Sequence, residues 1–172
     1  MQDRPLMISS LIDYAATFHG DTELVSRLPE GPIRRTTWRE VNERSKQVAN
    51  ALAELGIEQG DRIATLAWNS DRHLALYFGV SGSGAVMHTV NPRLFPGQIA
   101  FILADAQDTH LLVDPTLLPV LEGLADRLPP SLRAVVVMGD EAQLPAASKL
   151  AMRTVRTLVL SEDFTVWIAA EV

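Results

Sequence analysis

From Gly60 to Leu103, short apolar runs trade places with stretches whose apolar residues recur every three or four positions. Ile63, Ala64, Leu66 and Ala67 form one run after the Gly60-Asp61 turn, the pattern of a buried parallel strand over Arg62 to Ala67. Asn69 or Ser70 then stands where a cap opens a helix, with Leu74, Tyr77, Phe78 and Ser81 at helical spacing. Gly79, Ser81, Gly82, Ser83, Gly84 and Ala85 end that helix and let its backbone approach a neighbouring strand. Val86 to Val90 reads as the next strand. After the Asn91-Pro92-Arg93 turn, Pro96 takes the first position of a helix over Pro96 to Asp105. Strand, crossover helix and parallel strand make a βαβ unit, so the class is α/β.

The flanks extend the same alternation. Ser10-Leu11-Ile12-Asp13 has the form of a capping box opening a helix with Leu11, Ala15 and Phe18 on one face. Glu23 to Arg27 and Ile33 to Thr36 read as an antiparallel ribbon around Leu28-Pro29-Glu30-Gly31-Pro32, at the edge of the parallel sheet. Thr37-Trp38-Arg39-Glu40 is a full capping box, and Val41, Ser45, Val48, Leu52 and Leu55 follow on one face before Gly56 ends the helix. His110 to Val113 predicts a third parallel strand. Thr116 caps a helix with Leu117, Leu121, Leu124 and Leu128 inward, and Ala134 to Met138 is a fourth strand. These elements predict a doubly wound, mostly parallel sheet with flanking helices. Beyond Gly139, Ala146 to Thr157 reads as a helix, Leu158 to Leu160 as a short strand, and Phe164 to Val172 as an apolar end with no stopping turn.

Composition narrows the functions. The chain has 172 residues, 47% of them apolar, which sets it apart from disordered sequences. Lys and Arg number 15 against 21 Asp and Glu, a net charge of −6 that argues against a nucleic-acid partner. Arg34-Arg35, Arg133 and Arg153 to Arg156 read as solvated faces. The absence of cysteine excludes disulfides, thiolate metal sites and a thiol nucleophile, and is compatible with a reducing cytoplasm. No apolar run is long enough to span a membrane, and the N-terminus lacks the layout of a signal peptide.

Ligands of open α/β sheets bind outside the carboxyl ends of the strands. Trp68-Asn69-Ser70, Asn91-Pro92-Arg93, Asp114 and Gly139-Asp140 fall there. Asn91 and Arg93 flank a turn proline, where they could meet an anion; the simpler expectation is that Asn91 caps the turn and Arg93 makes a local salt bridge. His88 lies on a strand with no second ligand at metal spacing, as a satisfied core or edge histidine would. Gly79 to Gly84 closes a helix and leads into a strand, the reverse of a dinucleotide fingerprint, and Ala67 to Ser70 after the first strand is not one either. No Gly-x-Ser-x-Gly elbow is present. Spacing alone therefore gives a scaffold, with Trp68, Asn69, His88, Asn91 and Arg93 as its candidate ligand-edge residues.

Three blocks carry a resemblance: TTWREVNERSKQVANALAELGIEQGDRIATLAWNS, YFGVSGSGAVMHTVNPRLFPGQIAFIL and DTHLLVD. Together, from about Ser9 to Met138, they resemble the N-terminal part of AMP-forming acyl-CoA synthetases of the adenylate-forming family. The HTVNPRLFPGQIAFIL wording is most similar to medium- and long-chain fatty-acid CoA ligases. The resemblance implies activation of a carboxylic acid with ATP and Mg²⁺ to an acyl-adenylate, then transfer to CoA. In the family that work falls to a Ser/Thr-Gly-rich loop ending in Pro-Lys, an aromatic-Gly-x-Thr-Glu block, a ribose-binding Asp and a C-terminal lysine. None of these occurs in this sequence, so no catalytic, cofactor or metal residue is carried over, and only Gly84, Asn91, Pro92 and Arg93 match as architecture.

The sequence thus predicts a synthetase-like subdomain over residues 1–140 and a divergent extension over 141–172. The leading expectation is an N-terminal segment of a fatty-acyl-CoA synthetase, inactive alone, without ATP, Mg²⁺ or CoA of its own. The alternative is a self-standing α/β binding module that associates as a homodimer or through its apolar C-terminal edge, Val166 to Ala170.

Overall fold

The computed structural model describes residues 5, 7–139, 156–160 and 166–168. The chain divides into two compact units, Met1–Gln59 with Asn69–Ala85, and Gly60–Trp68 with Val86–Val172.

The first unit contains helix α1 (Ser9–Phe18), strands β1 (Glu23–Arg27) and β2 (Ile33–Thr37), and helices α2 (Trp38–Glu54) and α3 (Asp71–Gly82). The capping box at Thr37 forms as its sequence requires. The Thr37 hydroxyl accepts from Glu40 N at 3.3 Å, and the Glu40 carboxylate accepts from Thr37 N at 2.9 Å and from the Thr36 hydroxyl at 2.6 Å. The Thr36 bond, then the Thr37 backbone, hold the Glu40 carboxyl below its usual pKa. At the far end Gly56 adopts φ 75°, the left-handed geometry that glycine takes without a Cβ penalty, and Ile57 N donates to Leu52 O. Val41, Ser45, Val48 and Leu52 are buried, the face the spacing predicts.

Four expectations change in this unit. No capping box opens α1: Ile8 is its N-cap, Ser10 Oγ donates to Met7 O, and Ile12 and Ala16 are buried while Leu11 and Phe18 are exposed. The ribbon pairs Glu23 with Thr37 through Arg27 with Ile33, but it is a separate two-stranded sheet and not an edge of the parallel one. In α3 the buried face is Asp71, Ala75, Leu76, Gly79 and Val80; Tyr77 is exposed, and Leu74, Phe78 and Ser81 are only partly covered. Gly79 approaches helix α2 rather than a strand, since a Cβ there would lie 2.6 Å from Val48 Cγ1 and 2.8 Å from Ser45 O. Ser70, not Asn69, is the cap, its hydroxyl accepting from His73 N.

The second unit contains β3 (Arg62–Leu66), β4 (Val86–Val90), α4 (Pro96–Asp105), β5 (His110–Val113), α5 (Leu118–Glu122), β6 (Ala134–Val137), β7 (Arg156–Leu160) and β8 (Val166–Ile168). Its sheet runs β4-β3-β5-β6-β7-β8, parallel except for β8, which returns antiparallel to β7. The fold is α/β with a parallel sheet, as the alternation predicts. Ala64, Leu66, Leu111, Val113, Val135 and Val137 turn one face of the sheet toward Ile99 and Leu103 of α4 and Leu121 of α5, forming a continuous buried core. Leu117, Leu121, Leu124 and Leu128 are all buried, but Thr116 caps nothing: it sits in a 3₁₀ turn, Pro115–Leu117, and α5 begins after it with no side-chain cap. The expected helix over 146–157 lies outside the described residues up to 155, and Arg156 and Thr157 open β7. The apolar end supplies β8. Among the described residues, no helix is long and apolar enough to cross a membrane.

Candidate functional site

In the parallel sheet the chain steps outward from β3 to β4 and then returns past β3 to β5, so the strand order reverses between β3 and β5. Such a reversal opens a crevice at the carboxyl ends of the two strands. Here a buried carboxylate joins the two strand ends. Asp114, fully buried just past β5, accepts a hydrogen bond from Trp68 N at 2.7 Å, and its own N–H donates to Leu66 O at the end of β3. Beside it the Arg93 guanidinium lies 5.8 Å from the centre of the Trp68 ring, within cation–π range. Asn91 Oδ1 accepts from Arg93 N at 2.9 Å and fixes the turn, as its sequence position predicts. Among the described residues Arg93 makes no salt bridge, and its guanidinium lies over Trp68 instead. Trp68, Asn91 and Arg93 therefore share the carboxyl end of the sheet.

His88 does not join them. Its Nδ1 lies 2.8 Å from Oδ2 of Asp108, which precedes β5 at the opposite end of the sheet. Asp108 is fully buried, and burial raises its pKa while His88 and then Arg62 work to lower it. His88 is thus a satisfied histidine whose partner no local spacing announced.

Asn69 belongs to the first unit, where a cavity of about 570 Å³ lies between β1 and the start of α3. Leu24, Ser26 and Arg27 line one side; Asn69, His73 and Tyr77 line the other. Burial pushes the His73 imidazole below its usual pKa. In the same wall Asp71, 1% exposed, meets Arg44 Nη1 at 2.9 Å and Arg34 Nε at 3.2 Å. Arg34 is therefore not part of a solvated face. The next residue, Arg72, holds Glu30 in the ribbon loop at 2.7 Å.

The sequence comparisons match this arrangement to one family. Residues 12–164 match the model for the AMP-binding enzyme family. The chain belongs to that family. It is 47% identical over 139 residues to the 3-methylmercaptopropionyl-CoA ligase of Ruegeria lacuscaerulensis, covering 81% of this chain and 26% of that ligase. It is 45% identical over 142 residues to the long-chain-fatty-acid–CoA ligase of Thermus thermophilus, and 41% over 150 residues to the medium-chain-fatty-acid–CoA ligase of Ectopseudomonas oleovorans. These cover 83% and 84% of this chain, and 26% and 27% of the relatives. The chain thus spans about a quarter of the length of the ligases it matches, and the matched part is N-terminal. Among solved structures, the anthranilate CoA ligase AuaEII bound to anthranoyl-AMP superposes with a TM-score of 0.67 at 28% identity, over 80% of this chain and 27% of that one. The fold is that of adenylate-forming enzymes.

An AMP-binding enzyme needs donors and cations around a polyphosphate. At the carboxyl ends of β3 and β5 this chain places the buried Asp114 carboxylate, which accepts from Trp68 N. Among the described residues, no cluster of three His, Asp or Glu could hold a metal ion.

Proposed function

We propose that the chain is the N-terminal segment of an AMP-forming acyl-CoA synthetase for a fatty acid or a related carboxylic acid, and that by itself it forms no acyl-adenylate. In this reading residues 1–140 supply a scaffold of the nucleotide-activating domain, 141–172 diverge from it, and the protein works in the cytoplasm. The relatives at 41–47% identity support the acid–CoA ligase class, and their names range from fatty acids to 3-methylmercaptopropionate, which leaves the acid open within that class. The observation that supports the inactive reading is that the chain spans about a quarter of the ligases it matches, and the phosphate-binding motifs that the resemblance implies do not occur in it.

The test is ATP-dependent acyl-hydroxamate formation with hexanoate, dodecanoate and 3-methylmercaptopropionate. The chain alone is expected to give none, and turnover would overthrow its inactivity. Mixed with the Ectopseudomonas medium-chain ligase lacking its matching N-terminal part, the chain is expected to restore activity. Failure to restore it, with both pieces folded, would count against the scaffold role.

A further inference from the structure

The cavity between β1 and the start of α3, of about 570 Å³, has the size of a small-molecule site, which runs from about 300 to about 1,000 Å³. Ion pairs orient its two walls. Glu30, in the loop after β1, is held by Arg72, and Arg34 of β2 reaches Asp71, so the Arg27 end of β1 lies against the first turn of α3. Leu24 and Val25 then lie farther along, toward Leu74 and Tyr77. A strand from position 24 to 27 covers about 10 Å and a helix from 71 to 77 rises about 9 Å, so the walls match in length. One end of the cavity is polar, with Arg27, Asn69, Ser70 and Asp71; the other is apolar, with Leu24, Val25, Leu74 and Tyr77.

Two groups at the polar end are left over by the fold. Asp71 takes up Arg34 and Arg44, and Glu30 takes up Arg72, whereas Arg27 makes no ion pair among the described residues. Asp71, 1% exposed, gives both of its arginines the same oxygen, Oδ2, and its Oδ1 accepts no hydrogen bond. Buried acceptors are nearly always paired, so an orphan acceptor in a cavity wall calls for a donor from outside the chain. That donor is neutral, because the two arginines already outweigh the Asp71 charge and a third cation would be repelled. Arg27 is a single guanidinium, which suits a carboxylate held through two parallel hydrogen bonds. We propose that this cavity binds a small hydroxy acid, with its carboxylate on Arg27, its hydroxyl donating to Asp71 Oδ1 and its apolar body between Leu24, Leu74 and the Tyr77 ring. Binding there makes and breaks no covalent bond and requires no nucleotide.

The test is an amide NMR titration of the nitrogen-15-labelled 172-residue chain with three compounds. These are 3-phenyllactate, 3-phenylpropionate, which lacks the hydroxyl, and 3-phenylpropane-1,2-diol, which lacks the carboxylate. Phenyllactate is expected to shift amides of β1 and of the first turns of α3 with a dissociation constant below about 1 mM, and each of the others to bind about tenfold more weakly. Arg27→Gln is expected to weaken phenyllactate by about tenfold and to leave the diol unchanged. Arg27 is exposed, so this variant should keep the far-UV circular dichroism of the wild type. Asp71 variants would break the ion pairs of the unit, so the missing hydroxyl of phenylpropionate tests Oδ1 in their place. Phenylpropionate binding as tightly as phenyllactate overturns the proposal, as does phenyllactate binding that Arg27→Gln leaves at full strength. So does phenyllactate that moves no amide of β1 or α3 up to about 10 mM.

Discussion

Arg44 of α2 lies 2.9 Å from Asp71 in the first turn of α3, and Arg34 of β2 reaches the same carboxylate oxygen at 3.2 Å. Asp71 is 1% exposed, and the side chains of the two arginines are about one-fifth exposed, so one buried anion ties together three elements of the first unit. Breaking a buried ion pair from one side leaves the remaining charge without compensation. Asp71→Ala removes the shared anion from both arginines and is expected to destabilise by about 3 kcal/mol. Arg44→Met leaves Asp71 with Arg34 and should cost less. Urea unfolding at neutral pH measures both, and an equal cost for the two variants would show that Arg34 does not share the carboxylate.

What the sequence disclosed of this unit follows from range. The Thr37–Glu40 box and the α2 stripe are local, with cap and periodicity agreeing, and both form as read. The Asp71 cluster joins residues far apart in the chain, and neither arginine is distinguished from a surface cation by its neighbours. The same limit applies at the candidate site. Asn91 capping its own turn was legible, whereas the Arg93–Trp68 stack, the Asp114–Trp68 hydrogen bond and the His88–Asp108 pair each depend on strands brought together by the fold.

Helix α1 shows a subtler failure, because two of its stripes satisfy helical spacing. Leu11, Tyr14 and Phe18 form the more apolar one and are exposed, while Ile12 and Ala16 are buried. Ile12→Ala is expected to cost about 2–4 kcal/mol, and Leu11→Ala less than about 0.5 kcal/mol. Denaturant midpoints of the two variants check the assignment, and a larger loss for Leu11→Ala would reverse it.

Gly79 has no room for a methyl group. An added Cβ would stand 2.6 Å from Val48 Cγ1, 2.7 Å from Val48 Cβ and 2.8 Å from Ser45 O. Gly79→Ala gains about 1 kcal/mol of helix propensity but must push α2 and α3 apart, so a net loss of about 1–3 kcal/mol is expected. Val48→Ala removes only one of the three contacts, so it should relieve the defect in part. Full rescue in the double variant would mean that the Ser45 carbonyl yields freely.

Burial holds the His110 imidazole, 3% exposed on β5, below its usual pKa; Asp61 opposes this shift and Arg133 adds to it. The unfolded chain takes up the proton near its ordinary value of 6.5 and the folded chain only at lower pH. The stabilising contribution is therefore complete above that value and is lost as pH falls through it toward the folded pKa. His73 acts in the same direction. In His110→Gln the stability lost between about pH 7 and about pH 5 should be smaller than in the wild type. Equal losses would show that His110 does not carry the dependence.

Asp108 has the opposite sign. Its folded pKa lies above the ordinary 3.8, so the native state binds the proton more tightly and stability falls as pH rises from that value through the folded one. Asp108→Asn removes this slope and should flatten the stability curve just above about pH 4. His88→Ala leaves the fully buried Asp108 carboxyl without its ring partner, at a cost of about 1–3 kcal/mol. If the 2.8 Å contact is the reason, that cost depends on the carboxyl at position 108, and His88→Ala is much milder in the Asp108→Asn background. A double-mutant cycle by urea unfolding reads the coupling, and additivity within about 0.3 kcal/mol would mean that the pair is a geometric neighbour without energetic consequence.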